Sequence, residues 1–140
     1  MVIPEGELMI YDGTGNSLKN LDKTVRKTTK ALRDHDDEFD SIAVSGMSGV
    51  IVGVPVALRL KKPLIVVRKE SDNSHHGGGE IINRQGIGER VLFLDDFVSS
   101  GETQDYVTDK IENEGGTIIA QFYYDNHACK VEGIRSGWRT

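Results

Sequence analysis

The chain has 140 residues, 37% of them hydrophobic and 28% charged, with a formal net charge of −5 at neutral pH. That balance implies one soluble globular domain, residues 1–140, long enough to bury a core. No apolar run approaches the roughly 20 residues that span a bilayer, and the acidic balance argues against a general nucleic-acid binder. Cys129 stands alone, so no internal disulfide is available, and the start "MVIPEGELMIYDG" lacks the basic and long apolar stretches of a secretion signal. Both observations point to the cytoplasm.

In chain order, "ELMIY" (Glu7–Tyr11) predicts a short strand closed by the turn "DGTGN". Asn16 or Ser17 then caps a helix in which Leu18, Leu21, Val25 and Leu32 share one face, and the helix ends in the polar cluster "RDHDDEFD". "SIAVSG" (Ser41–Gly46) predicts a buried strand breaking into a glycine turn. "SGVIVGVPVALRLKK" predicts a helix whose start is blurred by Gly53 and Pro55. Pro63 stops it, and "PLIVVRK" is a second buried strand. "SDNSHHGGGEIINRQGIGE" (Ser71–Glu89) reads as a long loop with little apolar content. Arg90–Leu94 is a third strand, Thr103–Glu114 a helix packed through Val107 and Ile111 with Gly115 as C-cap, and Thr117–Tyr124 a fourth strand. Continuous apolar strands alternating with helices predict an α/β fold, a mostly parallel sheet flanked by helices. Such sheets bind ligands beyond the carboxyl ends of their strands. Three of these ends carry chemically pointed residues: "SGMSG", "RKE" and "DDFVSSGET".

The third end is the most specific. Small residues between a strand and a helix start let several backbone N–H groups share one concavity, where the helix dipole adds positive charge. Ser99, Ser100 and Thr103 add hydroxyls, and Gly101 allows close backbone approach. Asp95 and Asp96 can accept hydrogen bonds from vicinal hydroxyls or hold the water shell of a Mg²⁺ ion. A sugar phosphate offers both a phosphate and a diol; the bland alternative is an acidic strand end followed by a capping loop. In "VSGMSG" (Val44–Gly49), Gly46 and Gly49 free main-chain amides for anion contact, and Ser45 or Ser48 can add hydroxyls; an ordinary strand-to-helix turn would look the same. A lipase-type nucleophile elbow is excluded, because Val50 stands where its last glycine would be. Arg68 suits bidentate anion contact, and Lys69 acts as a point charge. His75 and His76 make an exposed loop tip more readily than a metal site, with no third ligand near them in sequence.

"VLFLDDFVSSGET" resembles the signature of the type I phosphoribosyltransferases, which bind 5-phosphoribosyl-1-diphosphate (PRPP), and the resemblance runs from about Ser41 to Tyr124. It implies that Asp95 and Asp96 take the ribose hydroxyls and that Ser99, Ser100, Gly101, Glu102 and Thr103 hold the 5′-phosphate. It also implies that Ser45, Gly46, Met47, Ser48 and Gly49 form the diphosphate loop, with a strained cis peptide near Ser45–Gly46. "RKESDNSHHGGGE" resembles the mobile loop of the orotate members, which implies catalytic roles for Arg68, Lys69 and either His75 or His76. The implied activity is Mg²⁺-dependent transfer of ribose 5-phosphate to an orotate-like pyrimidine or a purine, in a homodimer, with Mg²⁺ at Asp95 and Asp96. The implied acceptor site is a small hood built from the chain termini, near Tyr123, Tyr124, His127, Trp138 and Arg139. The loop has no lysine between Lys69 and the histidines, which keeps a second reading open: a non-catalytic module that senses PRPP or a nucleotide. A phosphorelay receiver is excluded, because its acid pair belongs to the first strand.

Overall fold

In the computed structural model, which describes residues 17–69, 81–97, 101–125 and 128–131, helix α1 (Leu21–Arg33) precedes strand β1 (Ser41–Val44) and helix α2 (Gly46–Leu60). Strands β2 (Leu64–Val67), β3 (Ile81–Ile82) and β4 (Arg90–Asp95) follow, then helix α3 (Glu102–Asn113) and strands β5 (Thr117–Tyr123) and β6 (Ala128–Val131). The strands form one sheet in the order β3-β2-β1-β4-β5-β6. β1 pairs in parallel with β2 and β4, and β4 in parallel with β5, whereas β3 and β6 run antiparallel at the two edges. The mostly parallel sheet expected from the sequence is therefore present, with an antiparallel strand added on each side. The strand expected at Glu7–Tyr11 lies outside the described residues.

Alternation along each strand divides the core into two layers. Ile42, Val44, Leu92, Leu94, Ala120 and Phe122 meet α1 through Val25 and Leu32, and α2 through Val52, Val56 and Leu60. Ala43, Ile65, Val67, Val91, Phe93 and Ile118 meet α3 through Val107 and Ile111. Both sheet faces are covered, which is why the strands read as unbroken apolar runs.

Helix α2 lies hard against β1. A Cβ at Gly53 would fall 2.7 Å from Val44 Cγ1 and 3.3 Å from Leu64 Cδ1, and one at Gly49 would fall 3.2 Å from Val44 Cβ. Pro55 sits within the helix without ending it. No described peptide is cis, which corrects the expectation near Ser45–Gly46; the chain turns there through the positive φ of Gly46, 83°. At its far end, α3 closes with Gly115 at φ 92°, the Gly116 N–H donating to the Ile111 carbonyl at 3.1 Å.

Three local readings are corrected. Leu21, placed on the apolar face of the first helix, is 37% exposed, because it directly follows the break at Asn20. The second half of the Ser71–Glu89 segment is no open loop. Ile81 and Ile82 pair with Val67 and Val66, and Ile81 and Ile87 are buried in the α3-side core. The polar cluster "RDHDDEFD" hides Phe39, which is fully buried beneath the Lys62 ammonium. Beside it, Asp40 accepts from the Glu89 and Arg90 amides and pairs with the Arg90 guanidinium at 2.9 Å. That guanidinium, with its amide, holds the Asp40 carboxyl down to about 2. Among the described residues no helix is long and apolar enough to cross a membrane.

The contact at Gly53 gives the first prediction. Gly53→Ala will lower the unfolding free energy in urea by about 1–3 kcal/mol, because the added methyl must displace Val44 or lift the helix. A variant as stable as the parent would show that α2 has slack against β1.

Candidate active site

The parallel strands β1, β2, β4 and β5 all deliver their C-terminal ends to one rim of the sheet. Their register pairs Ala43 with Phe93, Val44 with Val66, and Asp95 with Tyr123. Carried one or two residues further, it sets Ser45, Val67, Asp95 and Tyr123 level, with Gly46, Arg68, Asp96 and Tyr124 on the next rung. Residues far apart in sequence thus converge because four strands stop together.

Asp95, the last residue of β4, is only 6% exposed. Its Oδ1 accepts from the Asp96 N–H at 2.9 Å. Burial pushes its carboxyl up to about 7, the neighbouring Asp96 charge adds to the rise, and the Asp96 amide and Lys69 oppose it. Asp96 is held differently: Oδ2 accepts from Ser48 Oγ at 3.1 Å, and Oδ1 accepts from the Phe97 N–H at 2.7 Å. The Tyr124 and Asp125 amides donate to the Asp95 and Asp96 carbonyls at 3.0 Å each, so β5 continues to brace the acid pair beyond its formal end.

Two features flank the pair. On one side Lys69 reaches from the end of β2 toward the α2 turn, its Nζ 3.7 Å from where a Gly46 Cβ would stand. At the same rim Gly101 precedes α3 at φ 88°, and a Cβ there would meet no atom of the described residues within 4 Å. Tyr106 Oη of α3 donates to the Arg68 carbonyl at 2.9 Å, fixing this helix to the end of β2. Glu102 is exposed and Thr103 half-buried at the start of α3. Ser99, Ser100 and His76 lie outside the described residues, as do His75, His127, Trp138 and Arg139.

Within the turn before α2 the tasks divide in a way the sequence does not reveal. Ser45 is buried, and its hydroxyl donates to the Val67 carbonyl at 2.8 Å, tying β1 to β2. Gly49 serves close packing on Val44 and the Leu94 carbonyl. Met47 is 74% exposed and directed outward. Gly46 and Ser48 are the members turned to the rim, toward Lys69 and Asp96 respectively.

Tyr123 and Tyr124, named near the implied acceptor site, are buried instead of lining it, and Tyr124 Oη donates to the Ser48 carbonyl at 3.1 Å. Burial keeps that hydroxyl far above its ordinary range. Phe97, not singled out by the sequence, is 41% exposed directly after the acid pair. An aromatic interrupting "DD" and "VSSGET" was the available signal.

The donor set fits a magnesium ion brought in with a phosphorylated ligand. Among the described residues no group of three or more His, Cys, Asp or Glu side chains could hold a metal alone. Mg²⁺ commonly takes one or two carboxylates and completes its shell with water and substrate oxygens. Asp95 and Asp96 are suited to that task, and a nearby cation would favour the ionised form of Asp95.

A model of the phosphoribosyl transferase domain family matches residues 16–135 of this chain. The chain is similar to the orotate phosphoribosyltransferase of Archaeoglobus fulgidus, with 32% identity over 90 residues covering 64% of this chain and 50% of that one. It is also similar to the adenine phosphoribosyltransferase of Bifidobacterium longum, with 33% identity over 114 residues covering 72% and 59% respectively. Among solved structures, adenine phosphoribosyltransferase from Thermoanaerobacter pseudethanolicus superposes with a TM-score of 0.62 at 24% identity, covering 79% of this chain and 70% of that one. The chain spans 50% and 59% of the lengths of those two curated relatives.

Asp95 generates a pH prediction. Its carboxyl binds a proton more tightly folded than unfolded, so between about 4 and about 7 the folded state holds the extra proton. Stability from this group is therefore full in mild acid and falls as pH rises to about 7. Asp95→Asn will remove that slope, and at pH 8 will melt above the parent by an amount worth a few kcal/mol. Parallel melting-temperature profiles for parent and variant from pH 5 to pH 8 would refute the buried, proton-retaining carboxyl.

Proposed function

The chain belongs to the phosphoribosyl transferase domain family, and on that premise we propose that it transfers ribose 5-phosphate from PRPP to a nitrogenous base, releasing diphosphate. The observation that carries this reading is the arrangement at the rim. An acid pair ends β4, with Gly46 and Lys69 at the same rim and α3 starting after Gly101 a few residues on. A ribose diol suits the acids, a 5′-phosphate suits the amides after Gly101, and a diphosphate suits Gly46 and Lys69.

Three groups of this chain divide the work. Asp95 and Asp96 orient the ring through its hydroxyls, and their negative charge favours the cationic ring as the C1–oxygen bond breaks. The bonding electron pair leaves with the diphosphate, where Lys69, Arg68 and the Gly46 amide meet the growing charge. Asp95 and Asp96 would hold a Mg²⁺ ion, which when bound would supply Lewis-acid neutralisation of the leaving group. The base nitrogen then bonds to C1, and its proton passes to the departing diphosphate or to water. His76 and the Ser99–Ser100 hydroxyls keep the roles the family resemblance implies for them.

For the acceptor we favour an orotate-like pyrimidine over a purine. The reading rests on "RKESDNSHHGGGE", and the two curated relatives named above divide between orotate and adenine in their names. Phe97, exposed beside Asp96, is the proposed platform for the base.

The test is a mass-spectrometric screen of bases with PRPP and Mg²⁺ for nucleoside monophosphates, alongside PRPP calorimetry. Product from orotate or a purine is expected. Binding without product from any base would select the sensing module, and absence of PRPP binding would refute both readings. Asp96→Asn will weaken PRPP by about 10- to 100-fold while leaving the fold intact; an unchanged affinity would remove the ribose assignment.

A further inference from the structure

The solvent side of α1 is lined with cations. Lys19, Lys23, Arg26, Lys27, Lys30 and Arg33 are all exposed, in a chain whose net charge is −5. They recur every three or four residues and so form one stripe along the helix. Lys19, Lys23 and Lys27 stand at successive four-residue steps, a like-charge spacing that destabilises a helix. Arg26 is answered by Asp22 at 2.9 Å, and Arg33 donates to the Arg59 carbonyl. Among the described residues, Lys23 and Lys27 have no such answer: neither forms an ion pair.

These two lysines border a hollow of about 290 Å³ between α1 and the end of β5. Asn20, Lys23, Thr24 and Lys27 face it, and their three- and four-residue spacing puts them on one strip of the helix. Ser17, Tyr124 and Asp125 complete the lining, and Ser17 Oγ donates to Asp125 Oδ1. None of these residues is among those assigned above to ribose, phosphate, diphosphate or base.

The lining selects the ligand. Two ammonium groups one turn apart supply point charges for a dianion such as phosphate. The ionised Asp125 carboxylate only accepts hydrogen bonds, so the ligand must bring a donor as well as its anion. Asn20 serves either need. A phosphate carried on a hydroxylated carbon frame meets both demands. The volume lies near the small end of ligand pockets, about 300–1,000 Å³, which admits a frame of a few carbons.

We propose that the hollow between α1 and the end of β5 binds a small phosphorylated polyol, its phosphate on Lys23 and Lys27 and a hydroxyl on Asp125, and that its occupation is felt at the acid pair. The connection is short. Tyr124 and Asp125 donate through their amides to the Asp95 and Asp96 carbonyls, and Tyr124 Oη donates to the Ser48 carbonyl. A ligand in the hollow therefore bears on the two residues that brace the rim. By linkage, whatever factor it imposes on a ligand at the rim is returned to it. The site stands without the function proposed above; its effect on PRPP rests on that function.

Titration of ¹⁵N-labelled protein with glycerol 3-phosphate, inorganic phosphate and sulfate tests the site residue by residue. Glycerol 3-phosphate will shift the amides of Asn20, Lys23, Thr24, Lys27 and Asp125 saturably. Inorganic phosphate will do so more weakly, and sulfate, which has no donor, more weakly still. Equal affinities for all three would overturn the polyol and leave an unselective anion spot. Shifts confined to Gly46 and Gly101–Thr103 would overturn the site. Lys23→Ala/Lys27→Ala, at two exposed positions, will keep the circular dichroism spectrum and weaken glycerol 3-phosphate at these amides by about tenfold or more. Should the double variant not fold, Lys23→Gln decides in the same way, and unchanged binding in either variant would overturn the assignment. For the coupling, saturating glycerol 3-phosphate will change the PRPP affinity of the parent by about fivefold or more and leave that of the lysine variant unchanged. An equal change in both proteins, or none in either, would overturn the coupling. A parent that binds glycerol 3-phosphate in the hollow yet binds no PRPP would refute the functional reading and spare the site.

Discussion

A carboxyl buried at the end of a central strand is the constraint around which this molecule is arranged. Asp95 is 6% exposed, abuts a second acid, and retains its proton up to about pH 7. Charging such a group is costly, and nothing in folding requires an acid there. The position has a physical cause: β4 is flanked by β1 and β5, so its last residue is enclosed by neighbouring strand ends. The same enclosure brings Lys69, Gly46 and the start of α3 within reach of the pair. The site and its electrostatic cost have one origin, the common termination of parallel strands.

The opposite end of the central strands, where β1 and β4 begin, is built for rigidity. There the Asp40 carboxylate gathers the Glu89 and Arg90 amides and the Arg90 guanidinium, and Ser41 Oγ donates to the Ile87 carbonyl at 2.7 Å. Charge at that end is paired and its proton affinity lowered; charge at the rim is crowded and its proton affinity raised. Both are carboxylates at strand ends, and their surroundings alone separate them. One end of the sheet anchors the register of β1 and β4, and the other gathers the acid pair, Lys69 and Gly46.

Helix α2 links the two regions by using all its faces. Two glycines one turn apart bring it down onto Val44, its first turn gives Ser48 to Asp96, and its outer face carries four exposed apolar side chains. A sheet helix with one apolar face would end its role at the core. This one is apolar inside and outside, so the turn that gives Ser48 to Asp96 is carried on a helix with two apolar faces.

By itself, the sequence determined the elements and the motif. The runs "SIAV", "LIVV", "RVLFLD" and "TIIAQFY" had to be strands buried on both faces, because unbroken apolar stretches of that length hide only between two helical layers. "DDFVSSGET" was legible because local order alone sets acids before small residues before a helix. Tertiary structure decided everything that depends on a partner from elsewhere in the chain. The two-residue strand Ile81–Ile82 has no period to read and exists because Val66 and Val67 offer it an edge. Ser45 looked like a ligand for an anion until Val67 claimed its hydroxyl, and Tyr124 stood near the implied acceptor site until the core enclosed it. Local order along a chain specifies which groups stand together in sequence, whereas burial and hydrogen-bond partners are set by what packs across the sheet, and that information is spread over residues far apart.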